Sequence, residues 1–154
     1  MRGCITVSAH VPMGQNVGAT PDGRHAKAPL ADGGMSAGYG RGMQGPTALL
    51  KSVSRVDPKL GSNGTLLNMK FLPQLFHSET DIHKFVSLLQ AFVRLGIIHV
   101  QFNVVDREAL VSAQENPEAF RSLTIRVAGY TAYFTELARD LQNEIIERTS
   151  YADV

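Results

Sequence analysis

The sequence predicts an α/β protein with a loop-rich N-terminal half. Twelve of the 14 glycines and six of the 7 prolines precede residue 76, and this composition favours turns over long regular elements. Residues 76–154 instead alternate helical and extended hydrophobic patterns. We therefore predict a loop-rich segment, residues 1–75, followed by a more regular segment, residues 76–154. We expect the first segment to pack against another surface, because it has little apolar area to offset the conformational entropy that its backbone loses on folding.

Three short elements are predicted in the loop-rich segment. Residues Ile5 to Val11 alternate in hydrophobicity and predict a strand. Pro46 suits the first turn of a helix over Thr47 to Val56, since its missing N–H has no helical partner there. Residues Thr65 to Phe71 predict a second strand.

A long helix opens the regular segment. Ser78 and Thr80 are candidate N-caps, and Gly96 follows Leu95 as the expected stop. Apolar residues recur at helical spacing along one face, which we expect to be buried. These residues are Ile82, Phe85, Val86, Leu89, Phe92 and Val93.

The remaining pattern predicts strand, helix, strand and helix. Residues 97–105 form an apolar, β-branched strand, and Asp106 then caps a helix that ends near Asn116. Residues 123–127 predict another strand, and Gly129 a turn. A final helix is predicted from helical spacing, with Arg148 near its end to complement the helix dipole. Its apolar stripe is Phe134, Leu137, Leu141 and Ile145.

Composition narrows the possible classes of function. A net charge of +1 gives no electrostatic basis for binding nucleic acid. No run approaches the roughly 20 apolar residues that cross a bilayer, and the only cysteine, Cys4, cannot form an internal disulfide. We therefore expect a cytoplasmic protein without a membrane segment. The five histidines lack close metal-ligand spacing, so no metal site is predicted.

The run from Thr124 to Ala132 places a single glycine, Gly129, between a strand-like segment and the last helical pattern. An isolated glycine at such a junction ordinarily supplies a turn. The complete nine-residue run also resembles the signature of glycyl radical enzymes. Further runs are similar to segments near the C-terminal end of that family's lyases and dehydratases: residues 17–24, 29–33, 45–48, 62–68 and 99–105.

The resemblance implies a fold and a chemistry. The implied fold is the C-terminal part of a ten-stranded α/β barrel plus the glycyl radical domain, in the dehydratase and lyase branch rather than pyruvate formate-lyase itself. Gly129 would store an unpaired electron on its α-carbon, where the neighbouring amide and carbonyl delocalise it. A side chain would hinder the planar geometry, and glycine has none. The flanking residues would shape the radical loop: Arg126, Val127, Ala128 and Tyr130.

The resemblance also implies partners. No cofactor would be bound, and a radical S-adenosylmethionine activase would generate the radical. The family's thiyl cysteine lies in a separate upstream loop, and Cys4 lacks the acidic residue two positions later that accompanies it. A cysteine outside this chain is therefore expected to receive the radical. His10 is a candidate for the substrate pocket, and an oligomer is possible.

Three functions stay open on the sequence. The chain could be the radical-bearing C-terminal portion of a glycyl radical lyase or dehydratase, inactive by itself and dependent on an N-terminal portion. It could also be a stand-alone replacement part for a full-length enzyme damaged by oxygen. The third possibility is a non-catalytic remnant or interaction domain.

Overall fold

A computed structural model describes residues 8–38, 40–57, 60–61 and 64–154. That part of the chain contains both helices and strands, interspersed along the sequence, which confirms the α/β class. The α-helices are α1 (His10–Gln15), α2 (Pro46–Val53), α3 (Glu79–Arg94), α4 (Arg107–Glu115) and α5 (Arg139–Glu147). The strands are β1 (Leu67–Phe71), β2 (Val100–Val104), β3 (Thr124–Arg126), β4 (Thr131–Tyr133) and β5 (Ser150–Tyr151). Short 3-10 helices cover Pro73–Phe76, Pro117–Phe120 and Phe134–Glu136.

Two sheets organise these elements. β1 lies at the centre of a parallel three-stranded sheet, with β2 on one side and β5 on the other. β3 and β4 form a separate antiparallel hairpin in which Arg126 pairs with Thr131. β1 belongs to the predicted segment 1–75, yet both of its sheet neighbours belong to segment 76–154. The division at residue 75 stays a prediction.

Most buried apolar residues in the described part of the chain belong to two clusters. The first, which we call the sheet core, lies between the three-stranded sheet and helices α2 and α3. It contains Leu50, Val53, Leu67, Met69, Phe71, Leu75, Leu88, Ile97 and Tyr151. The second, the hairpin core, joins the β3–β4 hairpin to α4 and α5. It contains Val11, Val105, Leu110, Ala113, Ile125, Val127, Phe134, Leu141, Ile145 and Ile146.

Two of the three candidate N-caps, Ser78 and Asp106, cap helices as predicted, whereas Thr80 lies inside α3. The Ser78 hydroxyl accepts a hydrogen bond from the Asp81 N–H at the start of α3 (3.1 Å). The Asp106 carboxylate accepts one from the Ala109 N–H at the start of α4 (2.6 Å). Pro46 opens α2 as predicted, although that helix ends at Val53 instead of Val56.

The strand predicted over residues 5–11 is wrong where the structure describes it. His10 begins helix α1, while residues 5–7 lie outside the described residues. His10 and Val11 are both buried. Neighbouring side chains of a strand point to opposite faces, whereas α1 lies against α5 and buries both residues.

The helix predicted to follow Gly129 is also wrong in its first turns. Residues 131–133 form β4, and the Phe134 N–H donates to the Leu123 carbonyl (2.9 Å), which extends the hairpin. Helix α5 begins only at Arg139. Thr131 and Tyr133 are residue types favoured in strands, and pairing with β3 outweighs the helical spacing of Phe134 and Leu137.

The apolar face predicted for α3 is only partly correct. Phe85 and Phe92 pack against the sheet core, whose one fully buried α3 residue is Leu88. Ile82, Val86 and Val93 are exposed. The helix therefore carries apolar residues on two faces, and one of these faces packs against the sheet core.

In the described part of the chain, no helix has the length and apolar character needed to span a membrane. Residues 8–38, 40–57, 60–61 and 64–154 also contain no group of three His, Cys, Asp or Glu side chains placed to hold a metal ion.

Candidate functional site at the β3–β4 hairpin

Gly129 lies at the tip of the β3–β4 hairpin. The Val127 N–H donates to the Tyr130 carbonyl (3.0 Å), so Ala128 and Gly129 are the two residues of the turn. Gly129 has a φ of +88°, a conformation that glycine adopts without the cost that a side chain would add. Val127 and Ala128 are buried, but Gly129 is exposed. The hairpin thus presents one glycine at the surface on an otherwise packed support.

Three amide side chains from the sheet hold the hairpin backbone. Asn103 bonds both backbone groups of Arg126: its Nδ2 donates to the carbonyl and its Oδ1 accepts from the N–H, each at 2.8 Å. Asn68 Nδ2 donates to the Val127 carbonyl (3.0 Å). Gln101 Oε1 accepts from the Gly129 N–H (3.2 Å). The backbone around the turn is therefore fixed by directional bonds from β1 and β2.

These amides lie on one face of the β1–β2 pair. Asn68 is in register with Gln101, and Lys70 with Asn103. Alternate residues of a strand share a face, so the four polar side chains form a patch that we call the polar face. All four are at most 8 % exposed. Buried polar groups are costly unless hydrogen-bonded, and each of these four side chains makes at least one hydrogen bond to the hairpin or to the end of α5.

Arg148 adds an ionic support. Its Nη1 donates to the Val127 carbonyl (3.0 Å), which also accepts from Asn68. Its Nη2 contacts the Glu144 carboxylate at 2.8 Å, and its Nη1 lies 3.4 Å from Asp32 Oδ2. Arg148 was predicted as a partner of the helix dipole, but the structure shows that its guanidinium links the hairpin to two buried carboxylates.

The carboxylates beside Arg148 have opposite pKa shifts. Burial raises the pKa of Asp32, and Arg148 only partly offsets this effect. Burial would raise the pKa of Glu144 too, but the hydrogen bond from His10 and the charge of Arg148 outweigh it and lower that pKa. The two carboxylates raise the pKa of Arg148 against the effect of burial. The guanidinium therefore stays charged under the hairpin.

Lys70 supports the same region from below. Its Nζ donates to the carbonyls of Ile145 (3.1 Å) and Ile146 (3.0 Å), near the C-terminal end of α5. Burial, followed by the charge of Arg148, lowers the pKa of Lys70 to about 8. The Lys70 amine thus bonds two helix carbonyls. Burial makes its charged form less favourable, so its contribution to stability depends on pH.

The predicted loop residues lie as follows. Val127 belongs to the hairpin core, against which Tyr130 packs. The Arg126 guanidinium donates to the Thr131 hydroxyl (3.0 Å) across the hairpin. His10 is fully buried, with Nε2 3.0 Å from Glu144 Oε2. Its contact with a substrate stays a prediction. Cys4 lies outside the described residues.

The sequence pattern did not predict the three supporting amides, and it predicted a different role for Arg148. The sequence did contain a signal for these amides, because Gln101 and Asn103 alternate with apolar residues along a strand that was predicted to be apolar. Such alternation ordinarily indicates one face exposed to solvent. Here the polar residues are buried, because the hairpin covers them.

Comparison with known proteins agrees with this geometry. The sequence pattern of the family described as glycine radical matches residues 31–135, which include the hairpin and Gly129. The chain is 44% identical over 149 residues to an isethionate sulfite-lyase of Oleidesulfovibrio alaskensis, and covers 18% of that protein. It is 43% identical over 147 residues to an indoleacetate decarboxylase of Tractidigestivibacter scatoligenes, and covers 17% of it.

A solved structure shares the architecture. The glycerol-bound B12-independent glycerol dehydratase from Clostridium butyricum superimposes with a TM-score of 0.92 at 43% identity, covering 97% of this chain and 19% of that one. The family match spans more than half of the chain, and the chain therefore belongs to the glycyl radical family. It spans about a fifth of the length of these relatives.

Proposed function

We propose that Gly129 carries the radical, and that this chain is the radical-bearing portion of a glycyl radical lyase or dehydratase. The observation that carries the proposal is the geometry of the turn. One glycine stands exposed, with positive φ, on a hairpin that side chains from β1, β2 and the end of α5 hold in place. The chain would supply the last elements of the ten-stranded barrel and the glycyl radical domain.

The chemistry needs access to one C–H bond. An activase of the radical S-adenosylmethionine class would remove a hydrogen atom from the Gly129 α-carbon and leave one unpaired electron there. The exposure of Gly129 allows such a reagent to approach. Ala128 and Val127 are at most 2 % exposed. The only glycine of the turn is thus also its accessible residue.

The radical would then move to a cysteine outside this chain. Gly129 would take back a hydrogen atom from a thiol S–H bond, which restores the glycine and leaves a thiyl radical to act on the substrate. A chain that spans about a fifth of a relative's length would not suffice for turnover, and we expect the 154-residue chain alone to be inactive. The N-terminal portion or a full-length enzyme is the proposed partner.

Electron paramagnetic resonance after anaerobic activation tests the role of Gly129. The wild type should give an organic doublet whose splitting changes when glycine is labelled with ¹³C at the α-carbon. Gly129→Ala should give no signal. A matched control is Gly96→Ala, because Gly96 also has a positive φ, +70°, and open surroundings. Both variants should lose about 1–2 kcal/mol of stability from the left-handed backbone.

The control separates chemistry from folding. Among the described residues, the atom that a Cβ added at Gly129 would meet is Leu66 Cδ1, at an ordinary 3.6 Å, so steric crowding does not complicate the comparison. A radical that persists in Gly129→Ala would refute the assignment. So would a wild-type chain without signal when the same activase activates a full-length family member.

A further inference from the structure

We propose that Gln101 is a positioning residue for the radical-bearing glycine, with its amide oriented by His99. The inference rests on the proposed function of Gly129 and concerns the N–H of that residue. Gln101 Oε1 accepts this N–H at 3.2 Å, and Gln101 Nε2 lies 3.3 Å from His99 Nε2. A short chain of hydrogen bonds therefore ends at the glycine.

The direction of each bond follows from the donors available. The Gly129 N–H can only donate, so the atom that faces it must be the carboxamide oxygen of Gln101. The amide nitrogen of Gln101 then faces His99 and donates to it. The contacting ring nitrogen of His99 must consequently be the unprotonated one, which accepts.

The strand pairing keeps Gln101 in place. Gln101 is 6 % exposed and in register with Asn68, whose own amide bonds the Val127 carbonyl. The two amides thus hold successive peptide groups of the turn: Asn68 holds the one between Val127 and Ala128, and Gln101 the one between Ala128 and Gly129. A peptide group is planar, so bonding its N–H fixes the plane next to the radical carbon.

This plane matters to the electronic structure of the radical. The unpaired electron is stabilised by donation from the amide nitrogen of Gly129, which requires that the peptide plane align with the radical orbital. An acceptor on the N–H also increases the electron density on that nitrogen. Gln101 provides both effects at a single atom, whereas a residue that merely filled space would provide neither.

The first experiment measures the hydrogen bond without a radical. In a chain labelled with ¹⁵N-glycine, the Gly129 amide signal is identified by its absence from Gly129→Ala. Its exchange with solvent should become about fivefold faster in Gln101→Leu, as expected for loss of one ordinary hydrogen bond. Gln101→Glu keeps an oxygen acceptor and should largely restore protection. The control is Gln90→Leu, at an exposed position of α3.

The second experiment measures the radical itself. After anaerobic activation, Gln101→Leu should change the hyperfine splitting and shorten the lifetime of the signal about fivefold, and Gln90→Leu should leave both unchanged. His99→Phe should change the splitting less than Gln101→Leu, because the acceptor remains but its orientation is no longer fixed. A purely structural role would alter stability without altering the splitting.

The outcomes separate this inference from the proposed function. A wild-type chain that forms no radical, with an activase proven on a full-length family member, overturns the proposed function and the inference with it. A wild-type radical at Gly129 whose splitting and lifetime are unchanged in Gln101→Leu overturns the inference alone. Unchanged amide exchange in Gln101→Leu would overturn it as well.

Discussion

The two faces of the β1–β2 strand pair are built from opposite chemistry, although β1 is buried on both of them. One face presents Leu67, Met69 and Phe71 to the sheet core. The other is the polar face, whose amides bond the hairpin. Apolar burial stabilises without directional preference, whereas hydrogen bonds fix position and orientation. We therefore expect the face toward the sheet core to supply most of the stability, and the polar face to set the geometry of the turn.

Truncation of Phe71 should have the largest effect on stability. Phe71 is fully buried and contacts the rings of Phe85, Phe102 and Tyr151. Phe71→Ala should lower the free energy of unfolding by about 4 kcal/mol, since it removes buried area and leaves a cavity. Urea denaturation measures this loss, and Phe71→Leu should cost less. A loss below about 1 kcal/mol would contradict the view that the apolar face dominates stability.

Removal of Arg148 should lower stability by leaving buried charges uncompensated, not by leaving a cavity. Arg148→Met leaves Asp32 and Glu144 buried without their cation, and should cost about 3 kcal/mol. Neutralising both carboxylates in the same chain, as Asp32→Asn and Glu144→Gln, should recover much of that loss, because no uncompensated charge remains. The comparison is made by urea denaturation. If the three substitutions destabilise additively, the ion cluster stabilises the fold directly and our division between the faces is wrong.

The pH dependence of stability should report Lys70. Its folded pKa, about 8, lies below the unfolded value of 10.5, so the unfolded chain binds more protons between these values. Stability should therefore rise with pH across this window, by about 2–3 kcal/mol from pH 8 to 10. This rise in stability should be absent from Lys70→Met. Urea denaturation of both proteins between pH 8 and 10 measures the difference. Equal slopes in both proteins would show that Lys70 keeps its ordinary pKa.

A second buried group sets the upper limit of that window. Burial raises the pKa of Tyr151 above its ordinary value of 10.0. The folded state then keeps a proton that the unfolded state loses, so stability should fall with pH above about 10. Measurements restricted to pH 8–10 isolate Lys70 from this opposite effect.

Local signals in the sequence determined the elements with strong boundaries. Helices α3 and α4 follow from Ser78 and Asp106, each of which bonds an N–H of its first turn. A short run predicted Gly129 as the radical site and as a turn; the family match contains this residue, and its radical role stays a proposal. These features depend on neighbours within a few residues, where cap and turn preferences act. The sequence was therefore sufficient to predict the two helix caps and the turn at Gly129.

Only the tertiary structure decided the environment of Gly129. The residues that hold the hairpin come from β1, β2 and the end of α5, separated by tens of residues along the chain: Asn68, Gln101, Asn103 and Arg148. No local pattern shows that a polar residue in a strand will be buried, because burial depends on which element covers it. The hairpin that replaced the predicted helix after Gly129 formed for the same reason: pairing with β3 outweighed local helical spacing. The sequence thus determined that a glycine stands at the turn, and tertiary packing determined the hydrogen bonds that hold the turn in place.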